Sequence, residues 1–384
     1  MSTIPLSLYI HFPWCIRRCP YCDFNAHTLK SDLPEETYID ALLDDLTVQL
    51  DLLPDKRPIH SLFLGGGTPS LFQPKAIKRL LDTIKSMIDV PTNTEVTMEA
   101  NPGSLINEEQ LAGYYDAGVN RLSIGVQSFE EKHLKKLGRI HNPEQAIKSI
   151  LQAHTAGFSR INVDIMYGLP SQSLEDCIKD LSTACSLPID HLSWYQLTLE
   201  PNTLFHYQRP VLPDEYTIEH MERQSLSLLE NNGFHRYEVS AYSKESSSQH
   251  NLNYWQFGDY LGIGAGAHGK ITNINNRTIT RTLIQKHPKS YLASSPNDRL
   301  TLKPINSHDY LFEFMLNALR LTNGFDAKLI SERCFIETES IMPLLEEAVD
   351  QGWLTQENTH IQPTQLGQRY LNDLTALFLG EEIP

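Results

Sequence analysis

Three cysteines fall within eight residues near the start of the chain, Cys15, Cys19 and Cys22, spaced Cys-x3-Cys-x2-Cys. Thiolates are soft ligands that suit iron–sulfur clusters and zinc, and a clustered trio points to metal or redox chemistry rather than to disulfides. Cubane clusters usually take four cysteines, so three would leave one iron without a protein ligand and open to a substrate or cofactor. A structural zinc site prefers four protein ligands, and His11 or His27 would complete a Cys3His set. The residues alone leave both readings open. Cys177, Cys185 and Cys334 are scattered and read as core or surface thiols.

Further polar residues recur at one kind of place. Short apolar runs at Leu6–Phe12, Ser61–Leu64, Glu95–Glu99, Arg121–Val126 and Ile161–Ile165 lead into the cysteine loop, Gly65-Gly66-Gly67-Thr68, Asn101-Pro102, Gln127-Ser128 and Gly168-Leu169-Pro170, and His191–Leu197 is a sixth run. Between them, Pro34–Leu53, Pro74–Ile88 and Pro143–Ala156 carry apolar residues at helical spacing, each opening on proline as helices often do. Strand–helix alternation predicts an α/β fold with a parallel sheet and crossover helices. Six units within the first 200 or so residues fall short of a full eight-fold barrel, so a partial (β/α)6 TIM-like barrel is expected, with a doubly wound sheet as the alternative. In either, ligands collect at the carboxyl ends of the strands, where these polar residues lie.

The chain divides, on this reading, into a core over residues 1–240, a connecting segment over 241–303 rich in Ser, Asn and Gly, and a small carboxy-terminal module over 304–384. In that module His308–Leu321 and Thr338–Gly352 read as helices, Trp353–Pro363 as a hairpin and Thr364–Leu377 as a last helix, an order resembling a winged helix. A net charge of −15 and the lack of a Lys/Arg run argue against DNA or RNA as a partner, so the module is expected to serve packing. No apolar run approaches the ~20 residues that span a bilayer, and the amino terminus lacks the features of a signal peptide, so a cytoplasmic protein is expected.

Cys15-Ile-Arg-Arg-Cys19-Pro-Tyr-Cys22 resembles the signature of the radical S-adenosylmethionine superfamily. The resemblance implies a [4Fe–4S] cluster on the three cysteines, with S-adenosyl-L-methionine chelating the open iron, where electron transfer cleaves the sulfonium to a 5′-deoxyadenosyl radical. It also implies roles for the strand ends. Gly66, Gly67 and Thr68 would meet the methionyl group, their backbone able to approach closely. Glu99, Gln127, Arg139 and Asp164 would make polar contacts to the cofactor, and Tyr9 would lie beside the cluster, unless it is simply a core residue.

Tyr9-Ile-His11-Phe-Pro-Trp-Cys15, Gly65-Gly-Gly-Thr-Pro, Gly125-Val-Gln127-Ser-Phe and Asp164-Ile-Met-Tyr-Gly168-Leu-Pro together resemble the branch that holds the oxygen-independent coproporphyrinogen III dehydrogenases and the HemW-type haem chaperones. The dehydrogenases extend the signature with a fourth cysteine, where this chain has Phe24, as the chaperones do. His250-Asn251-Leu-Asn-Tyr254-Trp255 resembles the chaperones' HNxxY motif, which makes His250 and Tyr254 the candidates for contact with haem. The resemblance therefore implies a haem chaperone with haem as cargo, delivered to acceptor haemoproteins, including membrane-associated ones met by transient peripheral contact. The alternatives are radical decarboxylation of coproporphyrinogen III and a structural zinc protein; whether any substrate is turned over stays open. Gly262-Ile-Gly264-Ala-Gly266-Ala-His268-Gly269 contains GxGxxG but lacks a βαβ context, so it reads as a tight loop near the site rather than a dinucleotide fingerprint.

Overall fold

The computed structural model describes residues 4–104 and 107–379. Its fold follows from a two-residue alternation along six strands, because successive strand side chains point to opposite faces. In β1 (Leu6–Phe12) Leu6, Leu8, Ile10 and Phe12 are buried in the main core, while Ser7, Tyr9 and His11 occupy the opposite face. The same split runs through β2 (Ile59–Gly66), with Leu62 and Leu64 against Ser61 and Phe63, and β3 (Glu95–Ala100), with Val96 and Met98 against Thr97 and Glu99. It continues in β4 (Arg121–Gln127), where Leu122, Ile124 and Val126 oppose Arg121, Ser123 and Gln127. In β5 (Arg160–Tyr167) and β6 (His191–Gln196), Ile161, Val163, Leu192 and Trp194 oppose Asn162, Asp164, His191 and Ser193.

The apolar faces are covered by helices whose own apolar residues recur every three or four positions. Helix Glu35–Leu50 buries Tyr38, Ile39, Leu42 and Leu46; helix Pro74–Met87 buries Ile77, Leu80, Leu81 and Ile84. Helix Pro143–Thr155 starts on a reciprocal cap, Asn142 accepting from the Gln145 backbone while the Gln145 side chain accepts from the Asn142 N–H. The six strands are parallel and neighbour one another in chain order, which is the single winding of a partial barrel; a doubly wound sheet would add strands to both sides of β1 in turn.

Residues 241–303 are more than a connection. Beyond β6 the chain forms β7 (His235–Glu238) and β8 (Ala241–Ser243), antiparallel on the β6 edge. Helix Gln249–Trp255 then carries it back to β9 (Asp259–Ile263), which pairs parallel with β1. Strands β10 (His268–Asn273), β11 (Thr278–Ile284) and β12 (Leu300–Pro304) extend that edge, giving a twelve-stranded sheet among the described residues. At the β9 join, Asp259 is fully buried between Arg57 (2.6 Å) and Lys270 (2.8 Å) and also accepts from the Thr272 hydroxyl and N–H.

The carboxy-terminal part has its own apolar core, centred on Phe314, Ile330, Leu345, Ile361 and Phe378. Its elements are helix Tyr310–Ala318, helix Lys328–Cys334, helix Met342–Asp350, the hairpin Leu354–Glu357 with His360–Pro363, and short helices Gln365–Arg369 and Leu371–Ala376. Phe325–Asp326 adds a third strand to the hairpin. No helix of the described residues is long and apolar enough to cross a membrane.

Candidate functional site

The cysteine loop leaves the carboxyl end of β1 and folds back on itself. Trp14–Cys15 pairs parallel with His27–Thr28, the Cys22 N–H donates to the Cys19 carbonyl at 3.1 Å, and Arg18 donates to the Cys22 carbonyl at 3.1 Å. These bonds bring Cys15, Cys19 and Cys22 to the wall of one cavity of about 320 Å³ at the barrel mouth. Gly66, Gly67, Thr68, Glu99, Gln127, Arg139 and Asp164 line the same cavity.

Each residue is held from behind. Glu99 accepts from the Gly66 N–H at 2.9 Å, and Asp164 accepts from Asn162 at 2.7 Å and from the Ser123 hydroxyl. Gln127 ends β4 at φ 73° within a bulge, its side-chain oxygen accepting from the Tyr195 hydroxyl at 2.9 Å. A non-glycine residue held left-handed at a strand end is the kind of backbone strain that gathers at functional sites. Arg139 reaches the Gly125 carbonyl with one nitrogen and lies 3.6 Å from the Cys19 sulfur with another. Gly66, at φ +111°, cannot carry a side chain, because a Cβ would lie 2.4 Å from the His11 ring; Gly67 is pressed against the Trp14 and Phe12 carbonyls. These glycines thus serve close packing around the cysteine loop as well as lining the cavity.

The cavity lining is of mixed charge, Glu99 and Asp164 facing it together with Arg17, Arg18, Arg121 and Arg139. Burial and then the neighbouring Asp164 push Glu99 up to about 7, against the Gly66 hydrogen bond that lowers it. Burial likewise raises Asp164 despite Asn162, Ser193 and Arg121. Two desolvated carboxyls facing one cavity are costly when both are ionised and relieved by a bound ammonium or sulfonium. Cys15 is raised to about 11 and Cys22 is raised, by burial first and then by the neighbouring thiols. Bound iron would reverse this, since metal coordination deprotonates a thiol outright.

The residues present fit a cluster with its cofactor better than a zinc ion. Among the described residues, no three His, Cys, Asp or Glu side chains stand close enough together to hold one ion, whereas a cubane spreads its thiolates over separate irons. His11 has both ring nitrogens engaged, by the Tyr9 hydroxyl at 2.8 Å and the Asn25 carbonyl at 3.0 Å, and His27 is bonded to Asn25. The Arg139 Nε and Arg121 Nε are buried without hydrogen-bond partners among the described residues, donors left over for a ligand.

Glu99 carries a pH prediction. Its folded value lies above its unfolded one, so the fold binds the proton more tightly and loses stability as pH rises from about 4.5 towards about 7. Denaturant midpoints of the cofactor-free protein are expected to fall across that window, with the fall flattened in Glu99→Gln. A cationic ligand bound against the ionised form is expected to hold more tightly at pH 8 than at pH 6.

Three other candidates, Tyr9, His250 and Tyr254, do not line this first cavity. Tyr9 lines a second, adjoining cavity, its ring 6.2 Å from Phe63. His250 reaches neither cavity. It is 1% exposed, its Nδ1 is 2.9 Å from the Ser61 hydroxyl and its Nε2 is 3.0 Å from the Tyr254 hydroxyl. Burial lowers it to about 3, so it is neutral, with both nitrogens taken. Helix Gln249–Trp255 is a plug inside the barrel: Asn253 bonds Ser7, the His250 N–H bonds Glu95, and Asn251 lines the first cavity. Tyr254, oriented by His250, lines the second cavity. The Gly262–Gly269 run ends β9, turns over residues 264–267 and begins β10, with Gly266 at that cavity.

Ser123, Asn162, Ser193 and Tyr195 also line the first cavity and escape a search by residue type. Asn162 ties the group together, donating to Ser123 and Asp164 and accepting from Ser193 at 3.1 Å. The signal that finds them is their alternation with buried aliphatics along β4, β5 and β6.

A single-wound parallel barrel with three thiols at the mouth of a glycine- and carboxylate-lined cavity defines a radical S-adenosylmethionine architecture. The Radical SAM superfamily family matches residues 9–184, and the HemN C-terminal domain family matches residues 305–370. The chain is 44% identical to the protein called heme chaperone HemW in Haemophilus influenzae over 98% of its own length and 99% of the relative's. It is also 44% identical to the Escherichia coli protein of that name, with 98% and 99% covered. The solved coproporphyrinogen III oxidase (HemN) of Escherichia coli shares the fold, with a TM-score of 0.81 at 22% identity, covering 98% of this chain and 90% of that one. The chain belongs to the HemW family of the superfamily.

Proposed function

We propose that this chain is a haem chaperone that binds haem as cargo, holds a [4Fe–4S] cluster on Cys15, Cys19 and Cys22 with S-adenosylmethionine at its open iron, and delivers haem to respiratory haemoproteins. The observation that carries this reading is the near-full-length 44% identity to two proteins called heme chaperones. The site residues have matching tasks. Arg139 supplies positive charge beside the Cys19 sulfur, Glu99 and Asp164 offer anionic partners to the cofactor's amino or sulfonium group, and Gln127 and Tyr195 form one polar wall. When bound, the cluster and cofactor supply one-electron chemistry, and the protein's part is orientation and exclusion of side reactions.

Phe24 separates this reading from radical decarboxylation of coproporphyrinogen III. It is 61% exposed and lines both cavities, in the place where the resemblance puts a fourth cysteine in the dehydrogenases. The cytoplasm is the proposed compartment, with transient contact to membrane-associated acceptors. A haem-transfer assay is expected to show an apo-acceptor gaining haem from the loaded protein, with the rate changed when the cluster is left out. In a parallel anaerobic assay with cofactor, reductant and coproporphyrinogen III, no protoporphyrinogen IX is expected; its formation would replace the chaperone by an enzyme.

A further inference from the structure

The second cavity, about 330 Å³, opens beside the cysteine loop and shares Phe24, Gly66 and Glu99 with the first. Its walls are aromatic: Tyr9, Phe24, Tyr254 and Tyr260, with Tyr254 and Tyr260 edge-to-face at 4.6 Å and 85°. Such walls suit a flat, apolar ring system. At the lower end of ligand-pocket volumes, the cavity would leave part of a macrocycle outside, as a cargo that must be handed on requires.

Two imidazoles line it, and they differ. His11 has both ring nitrogens engaged, as described above. His268, at the start of β10, is exposed, and its ring makes no hydrogen bond among the described residues. Burial, then Lys286 and Arg281, hold its pKa below the usual histidine value, so the ring is neutral and keeps a free lone pair at pH 7. Neutral imidazole is a common axial ligand of haem iron.

The rim also has a charge. Lys286 is exposed, without an ion pair among the described residues, and its carbonyl is held by the Asn25 amide at 2.8 Å. Next to it His287 packs against His27, ring centroids 5.3 Å apart, and Arg18 bears electrostatically on His27. The cavity wall thus carries two imidazoles, with Lys286 and Arg281 in electrostatic reach of His268, a setting that suits a ligand flat in the middle and carboxylated at its edge. We propose that this cavity is the haem seat, with His268 as the iron ligand and Lys286 as a partner of a propionate; the inference rests on the haem-carrier reading. His250 then acts through Tyr254, as a positioning residue behind the wall.

Titration of the full-length protein with haemin, followed by its Soret band, tests the assignment. The unaltered protein is expected to show a histidine-ligated spectrum. His268→Ala should shift the Soret maximum, and added free imidazole should restore it. Lys286→Glu should keep the band position and weaken affinity roughly fivefold, the scale of one exposed charge pair. His250→Ala should keep the histidine-ligated position. Both His268 and Lys286 are exposed, and unchanged circular dichroism and cluster iron in each variant establish that it is folded. Should the unaltered protein take up no haem, the carrier reading itself fails. Should it take up haem while His268→Ala leaves band and affinity unchanged, the carrier reading stands and this seat is wrong.

Discussion

Cys19→Ala is expected to strip the protein of its iron and sulfide, taking anaerobically prepared material from cluster stoichiometry to background and abolishing absorption near roughly 400 nm. The size of the effect follows from the ligand count. A cubane already one protein ligand short cannot be retained on two, and Cys19 is the thiol with Arg139 beside it at 3.6 Å. Cys177 provides the control: it lies on the buried face of helix Leu174–Cys185 against Ser225, away from the cavity, and Cys177→Ala should leave iron content unchanged. Full iron retention in Cys19→Ala would sink the site.

Asp259→Asn is expected to destabilise the fold by about 3–5 kcal/mol, the range for breaking a buried ion pair from one side. Burial alone would raise the Asp259 pKa, but Lys270 and Arg57 outweigh it and hold the carboxyl below its ordinary value. Lys270 is 1% exposed and lies over the Phe257 ring at 4.2 Å, so it has no route to water once its partner is neutral. Because the folded value is depressed, this stabilisation is present above the unfolded carboxyl pKa and is lost as pH falls through the folded one. Denaturant midpoints of Asp259→Asn against the unaltered protein measure the loss. A paired change, Asp259→Leu with Lys270→Met, should recover much of it, since well-packed apolar replacements of buried pairs are often neutral. A loss under about 1 kcal/mol in the single variant would mean that the pair relaxes into water.

The barrel is readable in the chain because helices bury one face of each strand completely, leaving an apolar run that ends where the strand meets the cavity. Leu6–Phe12 is found with the bounds expected, and the other five strands differ by a residue or two. The β9–β12 extension is harder to read. Its segment is rich in Ser, Asn and Gly, and its key pairing, Leu6 with Asp259, joins distant parts of the chain. Site residues of distinctive type, such as Cys15 and Glu99, stand out at strand ends, and Arg139 stands out by type just after helix Glu131–Lys136. Ser123, Asn162 and Ser193 do not, being small polar residues common in loops. For His250, burial and two hydrogen bonds are properties of the packing, invisible in the letters. The carboxy-terminal hairpin is legible from its flanks, whereas helix Lys328–Cys334 is too short for a periodic signal.

Phe24, Gly66 and Glu99 form a party wall between the two cavities. Any guest that shifts this wall from one side changes the free energy of filling the other side, and the exchange is symmetric: the factor by which S-adenosylmethionine alters haem affinity is the factor by which haem alters affinity for S-adenosylmethionine. Loading order would then be a matter of thermodynamic linkage, readable by titrating either guest in the presence and absence of its neighbour.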